Sequence, residues 1–277
     1  MRRIAFLGFI LVIGILSCSR SLVEVDVMTF NIRYATLRDS SNYWEYRKDQ
    51  VAELIDKNRC DFVGLQEALP VQIEFLAEGL DQYGFLWRTR EIDPKEGEAA
   101  PIIYLKAKWE LISSETFWLS DTPELAGSNT WNAACNRVAT WGLFQSVSSD
   151  QRIFVCNTHF DHVSQEARLK GAQLIIDRIS EIAEGNPIIL LGDLNGKPDN
   201  PAIDLLCNKW YDPYPDFYPG DTLNGTFHGF NGNPFGRRID YILVNGQKSV
   251  SQFEIVRSNN EGAYPSDHFP VKATISF

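Results

Sequence analysis

No stretch of this sequence is apolar for long enough to cross a bilayer comfortably. The most apolar run, residues 4–16, holds 13 residues, against the roughly 20 that a spanning helix requires. Nor is there a long apolar hairpin of the kind that inserts into a membrane surface. Cysteine is scarce: beyond Cys18 there are only Cys60, Cys135, Cys156 and Cys207. They are too widely spaced for a zinc pattern, and no histidine triplet stands at zinc spacing either. Cys60 and Cys156 lie next to or within strand patterns and read as small buried residues. Positive charge is in the minority. The 26 basic residues face 36 acidic ones, a net charge of −10, which argues against broad electrostatic attachment to a polyanion. A local cationic pocket, or a metal supplying positive charge, stays compatible with that balance. Finally, no linker rich in glycine, proline or serine divides the chain.

What is present suits one large globular core: 277 residues, 44% hydrophobic and 22% charged, with seven tryptophans. At the N-terminus Arg2 and Arg3 precede the apolar run, which ends Ile15-Leu16-Ser17-Cys18. That ending resembles the bacterial lipobox. Residues 1–17 are therefore expected to be a signal peptide and Cys18 to carry a lipid. The lipid would tether a domain over residues 22–277 to a membrane of the cell envelope. Removal takes Arg2 and Arg3 from the 26 basic residues, leaving 24 against 36 acidic ones, a net charge of −12.

The most informative stretch is Pro187-Ile188-Ile189-Leu190-Leu191-Gly192-Asp193-Leu194-Asn195-Gly196. A short apolar run after a helical pattern reads as a strand buried on both faces. Asp193 and Asn195 stand where it runs out, alternating on one side. Other strand patterns end in the same way. Residues 23–30 alternate and stop at Asn31, residues 61–66 stop at Glu67, and residues 152–158 stop at His159. The pattern 239–244 is led by Arg238 and carries Asp240, and Ser266-Asp267-His268 precedes the last one, 271–275. Helices are expected from Trp44, Val51, Leu54 and Ile55, over residues 71–80, and after Ser164, with Leu169, Ala172, Ile176, Ile179 and Ala183 on the buried face. A short helix follows Asn200-Pro201, and residues 212–233 read as a loop. Asn31 to Glu67 spans 36 positions and His159 to Asp193 spans 34. Twice, then, the chain runs strand, polar end, helix, strand, acidic end. Two such halves suggest two sheets packed face to face, helices outside, and one site along the shared rim.

The polar strand ends, joined by Arg137 at the head of the pattern 139–146, are carboxylates, amides and two histidines. Oxygen donors of this kind favour Mg²⁺ or Mn²⁺ over zinc. Histidines among acids suit proton transfer, and one arginine in an acidic site suits a phosphate oxygen. The combination points to metal-assisted hydrolysis of a phosphate ester. Taken singly, each residue has a plainer role. Asn31 can end a strand in a turn, Glu67 can cap a helix, and His159 can be a hydrogen-bonded core histidine. Arg137 can be a surface charge and Asp240 half of a surface ion pair. All of these at once is improbable, because nearly every acid named ends an apolar strand. Asp161 and His162 continue the His159 motif as candidates to orient a site group.

Six motifs then follow one another in order: Met28-Thr29-Phe30-Asn31-Ile32-Arg33, Gly64-Leu65-Gln66-Glu67, Asn157-Thr158-His159-Phe160-Asp161, Gly192-Asp193-Leu194-Asn195, Arg238-Ile239-Asp240-Tyr241-Ile242 and Ser266-Asp267-His268-Phe269-Pro270. Together they resemble the endonuclease/exonuclease/phosphatase superfamily of DNase I-like fold. The similarity is greatest to exported bacterial members with Trp44 before Arg47-Lys48, Phe117-Trp118-Leu119-Ser120, and Arg137 before Thr140-Trp141. The resemblance implies a four-layer α/β sandwich of two mixed sheets flanked by helices. It implies Glu67 as principal Mg²⁺ or Mn²⁺ ligand, helped by Asn31 and Asp267. It places Asp193 and Asn195 at the attacking water, and His268, held by Asp240, on the phosphate. His159 and Arg137 line the phosphate site. The general base differs among members and stays open. Abasic-site nucleases usually have tyrosine where His159 stands and an acid near Arg33, so that activity is not expected. Glu98-Ala99-Ala100 also departs from the Gly-Glu-Phe of exported relatives.

A metal-dependent phosphoesterase at the cell envelope, monomeric and acting on a phosphorylated small molecule or a phosphodiester, is the leading expectation. An exported nuclease is the alternative, and the charge balance does not favour nucleic acid. A non-catalytic envelope binding module is a second class. A glycoside hydrolase using Asp193 and Asp240 would leave the amides and Arg137 unexplained.

Overall fold

The computed structural model describes residues 22–221 and 224–277; the expected signal peptide and Cys18 lie outside the described residues. Two mixed sheets pack face to face with helices outside. The first has the order β10-β11-β1-β2-β4-β3 and the second β5-β6-β7-β8-β9. In chain order the strands are β1 (Glu24–Asn31), β2 (Phe62–Gln66), β3 (Tyr83–Leu86), β4 (Ile102–Leu105), β5 (Trp109–Trp118), β6 (Val138–Ser146), β7 (Arg152–His159), β8 (Ile188–Asp193), β9 (Asp240–Asn245), β10 (Ser249–Ile255) and β11 (Val271–Ser276). The helices are α1 (Trp44–Asn58), α2 (Pro70–Gly79), α3 (Gln165–Ile182), α4 (Pro201–Lys209) and the single turn α5 (Tyr214–Phe217). No helix among the described residues is long and apolar enough to cross a membrane.

The repeated pattern in the sequence is a repeated piece of structure. β1 and β2 are parallel around α1, flanked by antiparallel β11 and β4. β7 and β8 are parallel around α3, flanked by antiparallel β6 and β9. Three apolar layers glue the halves. One, including Val27, Phe62, Val155, Ile189 and Leu191, fills the space between the sheets. The others seal the first sheet against α1 and α2 and the second against α3 and α4. The side-chain period of two therefore decides which strand-end residues face the inter-sheet rim. Asn31 shares its parity with Val25 and Val27, and Asp193 with Ile189 and Leu191. His159 follows Ile153 and Val155 in the same way, and Asp240 precedes Ile242 and Val244.

Polar side chains tie the sheets together near that rim. Asn157 Nδ2 donates to Leu65 O and Pro101 O, both at 2.7 Å, and Asn157 Oδ1 accepts from Gln66 Nε2 at 2.7 Å. Gly64 lets the sheets close: a Cβ there would sit 2.7 Å from Asn157 Oδ1 and 2.9 Å from Leu191 Cβ. Both residues belong to motifs that suggested chemistry, yet their work is to hold two layers at one spacing. Asn157→Ala is expected to destabilise the domain by about 3–5 kcal/mol, because buried partners are left without bonds. Denaturant or thermal melting checks this, and an unchanged midpoint would show that the tie contributes nothing.

Three sequence expectations need correction. Leu169 is 40% exposed; the buried face of α3 runs through Ala167, Gly171, Ala172, Ile175 and Ile179. The spacing of three and four admits two faces that share Ala172 and Ile179. The strand β10 went unrecognised, since at this sheet edge only Phe253 and Ile255 of Ser249–Ile255 are buried. Within residues 212–233, α5 forms where Pro213 and Pro215 begin a turn.

Candidate active site

The nine residues singled out in the sequence gather at one end of the sandwich, where the parallel strands of both sheets finish. Seven of them, Glu67, Arg137, His159, Asp193, Asn195, Asp267 and His268, line a cleft of about 530 Å³. Asn31 and Asp240 stand behind it, 0% and 1% exposed. Arg137, at 5%, is no surface charge, and Asp240 is no surface ion pair.

Asp193 is the hub. Its Oδ2 accepts from Asn31 Nδ2 at 2.9 Å, and its Oδ1 accepts from the backbone N–H of Asn195 at 3.0 Å. His159 Nε2 lies 3.5 Å and His268 Nε2 3.8 Å from Oδ2. Burial and the neighbouring Asp240 carboxylate push the Asp193 carboxyl up to about 7. His268 Nδ1–H donates to Asp240 Oδ2 at 2.9 Å. Burial opposes the His268 charge, but Asp240, Asp193 and Asp267 outweigh it and raise the imidazole to about 10. His159 is the opposite case: burial, reinforced by Arg137, holds it well below the usual histidine range. Its Nε2 accepts from Asn195 Nδ2 at 3.0 Å, and its Nδ1 is buried without a partner. The two imidazoles thus stand in different protonation states on either side of one carboxyl group.

Left-handed backbone aims several of these groups. Glu67 has φ +59°, and Arg33 and Asn195 have φ +56° and +47°, a conformation costing non-glycine residues about 1 kcal/mol or more each. By strand parity Glu67 would point with Val63 and Leu65 into the helix layer. The turn instead brings its Oε1 to Asn31 Nδ2 at 3.1 Å and its Oε2 to the N–H of Tyr34 at 3.2 Å. Arg33 lies 3.7 Å from Glu67 and 3.9 Å from Asp267, while it grips Asp39 with two bonds of 2.9 and 3.0 Å. Burial, with Glu67 adding to it, raises the Asp267 carboxyl. Glu67 and Asp267 are carboxylates whose charge Arg33 offsets only in part from 3.7 and 3.9 Å. Asn31 adds an amide whose Oδ1 accepts from the Arg33 N–H at 3.0 Å. Two acids and an amide make a hard-oxygen set, donor chemistry that fits a divalent cation. Asp193, Asp240 and His268 also stand close enough together to hold an ion; the Asp240–His268 bond uses Asp240 Oδ2 and His268 Nδ1, and Asp240 Oδ1 is buried without a hydrogen-bond partner.

On the opposite wall, Arg137 Nη2 lies 3.2 Å from His162 Nδ1, and its buried Nε has no hydrogen-bond partner. Asp161 makes no hydrogen bond to Arg137 but pairs with its Nε at 4.0 Å. It accepts instead from the N–H groups of Ala134, Cys135, Val163 and Ser164 at 2.7–3.3 Å, pinning the segment before Arg137 to the start of α3. Burial opposes ionisation, but these N–H donors and Arg137 win and hold the Asp161 carboxyl low. Sequence reasoning missed Arg90 and Arg237 as lining residues, whereas Glu98, noted in the sequence as a departure from exported relatives, lines the cleft too. Arg90 and Glu98 bond at 2.8 Å across the base of the charged loop, a pairing no spacing signals. Arg238 leaves the cleft for Asp212, between Tyr214 and Tyr241, and it is Arg237 that faces in.

The sequence profile described as "Endonuclease/Exonuclease/phosphatase family" matches residues 28–268. An endonuclease/exonuclease/phosphatase from Bacteroides vulgatus is 36% identical with a TM-score of 0.85, covering 91% of this chain and 98% of its own. The mannosyl-6-phosphatase of Bacteroides thetaiotaomicron is 30% identical with a TM-score of 0.84, covering 91% and 100%. Nocturnin of Drosophila melanogaster is 26% identical over 176 residues, 60% of this chain; the match spans only 26% of nocturnin's length. The profile, the two-sheet sandwich and the polar strand ends agree: the chain belongs to the endonuclease/exonuclease/phosphatase family of phosphoester hydrolases.

Proposed function

We propose that the protein is a Mg²⁺- or Mn²⁺-dependent phosphoesterase that cleaves a small phosphorylated molecule at the cell envelope. The observation that carries this is the buried chain Asp240–His268–Asp193, facing Arg137 across the cleft. Asn31, Glu67 and Asp267 would hold the cation, which when bound supplies positive charge to phosphate oxygens. Arg137 offers its fork to the phosphate. His268, kept protonated by Asp240, donates to a phosphate oxygen through Nε2. Asp193, titrating near neutrality, suits accepting a proton from the attacking water, with Asn195 beside it to orient that water. Neutral His159 lines the phosphate site and keeps Asn195 in place.

For the substrate, the net charge of −10 weighs against extended nucleic acid, and a cleft of about 530 Å³ accommodates a sugar phosphate. The 30% identical neighbour described as a mannosyl-6-phosphatase supports the same class. The test is hydrolysis of a panel of sugar phosphates, inositol phosphates, sphingomyelin, bis-p-nitrophenyl phosphate, RNA and plasmid DNA, with Mg²⁺, Mn²⁺ or EDTA. Sugar phosphates are expected to turn over fastest, and EDTA to stop the reaction. Preference for RNA or DNA would move the protein to the nuclease side of the family. Turnover that survives EDTA would sink the metal-dependent reading, and a folded protein inactive on every compound would favour a binding role.

A further inference from the structure

Arg47, on α1, is 2% exposed and bonds only to backbone carbonyls. Nε donates to Asn42 O at 2.9 Å, Nη1 to Ile32 O at 2.5 Å and Pro265 O at 2.9 Å, and Nη2 to Arg33 O at 2.7 Å. Three of these four carbonyls flank the proposed cation-binding residues. Ile32 and Arg33 follow Asn31, and Pro265 lies two residues before Asp267. The same segment reaches Glu67, because the N–H of Tyr34 donates to Glu67 Oε2. A second tie joins the two segments directly, from Ser266 Oγ to Asn31 O at 2.6 Å.

We propose that Arg47 is a positioning residue for the cation: it clamps the turn after β1 to the turn before β11, so that Asn31, Glu67 and Asp267 converge. This rests on the metal-dependent reading above. A guanidinium is required because its planar fork presents five donors at fixed angles, enough for carbonyls on several sides; an ammonium presents three from one point. Its charge also has a place. Burial lowers Arg47 to about 10, opposed by the fields of Asp267, Asp39 and Glu67, so it balances those acids from behind. The ring of Trp44, 5.2 Å away on the same helix, packs beside it.

The test uses the whole folded domain with Mn²⁺ as probe, its free concentration followed by electron paramagnetic resonance. Arg47→Lys is expected to weaken Mn²⁺ binding about tenfold or more, as lost support of metal ligands generally does. Its circular dichroism should match wild type. Hydrolysis at saturating Mn²⁺ should recover most of the wild-type rate, so the loss appears in the half-saturating metal concentration rather than in kcat. Methylguanidinium added to Arg47→Ala should restore part of the affinity. Mn²⁺ binding by Arg47→Lys equal to wild type would overturn the proposal. So would failure of Arg47→Lys to fold, which would assign the residue to the domain rather than the site. Wild-type protein that binds no Mn²⁺ would instead sink the underlying metal-dependent reading, and that shows before any variant is made.

Discussion

Glu67→Gln is expected to lower Mg²⁺- or Mn²⁺-supported hydrolysis by about 1,000-fold, equivalent to about 4 kcal/mol of transition-state stabilisation. The substitution keeps the size of the side chain and removes its charge. One carboxylate oxygen reaches Asn31 Nδ2 and the other the N–H of Tyr34. Glutamine has one acceptor for these two donors and turns an N–H toward the other. The hard-oxygen set loses its best-placed anion, and the remaining acid, Asp267, is itself raised by burial. Steady-state kinetics over a metal titration, beside calorimetric Mn²⁺ binding, provide the check. A rate within a factor of three of wild type would remove Glu67 from the site. Alanine is the poorer probe, since it also removes both hydrogen bonds, to Asn31 Nδ2 and the N–H of Tyr34, and so mixes a folding effect with a chemical one.

Asp240→Asn should reduce kcat by about 100- to 1,000-fold with little change in KM, a range typical of misdirected proton transfer. The Asp240 carboxylate receives the Nδ1–H of His268 at 2.9 Å and, with Asp193 and Asp267, keeps the imidazole protonated against burial. An amide at that place removes the charge and can present its own N–H to Nδ1, which moves the ring proton. The fold should persist, because the Asp240 backbone N–H keeps its bond to Thr226 Oγ1 at 3.2 Å. Turnover equal to wild type in a folded variant would break the proposed pairing, and a raised KM with unchanged kcat would make Asp240 a binding residue.

Much of the rim was legible in the sequence, because a buried strand that stops at an acid is a costly arrangement needing a reason. The run from Ile188 to Leu191 ending at Asp193 carries that signal, and so does Asn31 at the end of an alternating strand. The role of Asn157 was not legible: inside its motif it looks like chemistry, and only the facing sheet shows that its amide bridges layers. Glu67 was found by its strand, but the left-handed turn that aims it leaves no mark in composition. Arg90 and Glu98 meet by virtue of a loop path, and of the adjacent Arg237 and Arg238, which precede β9, Arg238 turns away to Asp212 and Arg237 lines the cleft. The buried stripe of α3 failed where two helical faces fit the same apolar letters.

The tie through Asn157 and Gln66 has a consequence for the cleft itself. One half of the molecule delivers Asn31 and Glu67, the other His159 and Asp193, so no single sheet contains a working set. The distance between the two groups is the gap between the layers, and the amide bridge with its glycine acts as the gauge block that sets it. Misplacement of reacting groups by about 1 Å can cost about 100-fold in rate. Core residues far from any substrate are therefore part of the tolerance of the site, and a loosened interior should be felt in turnover well before it is seen in unfolding.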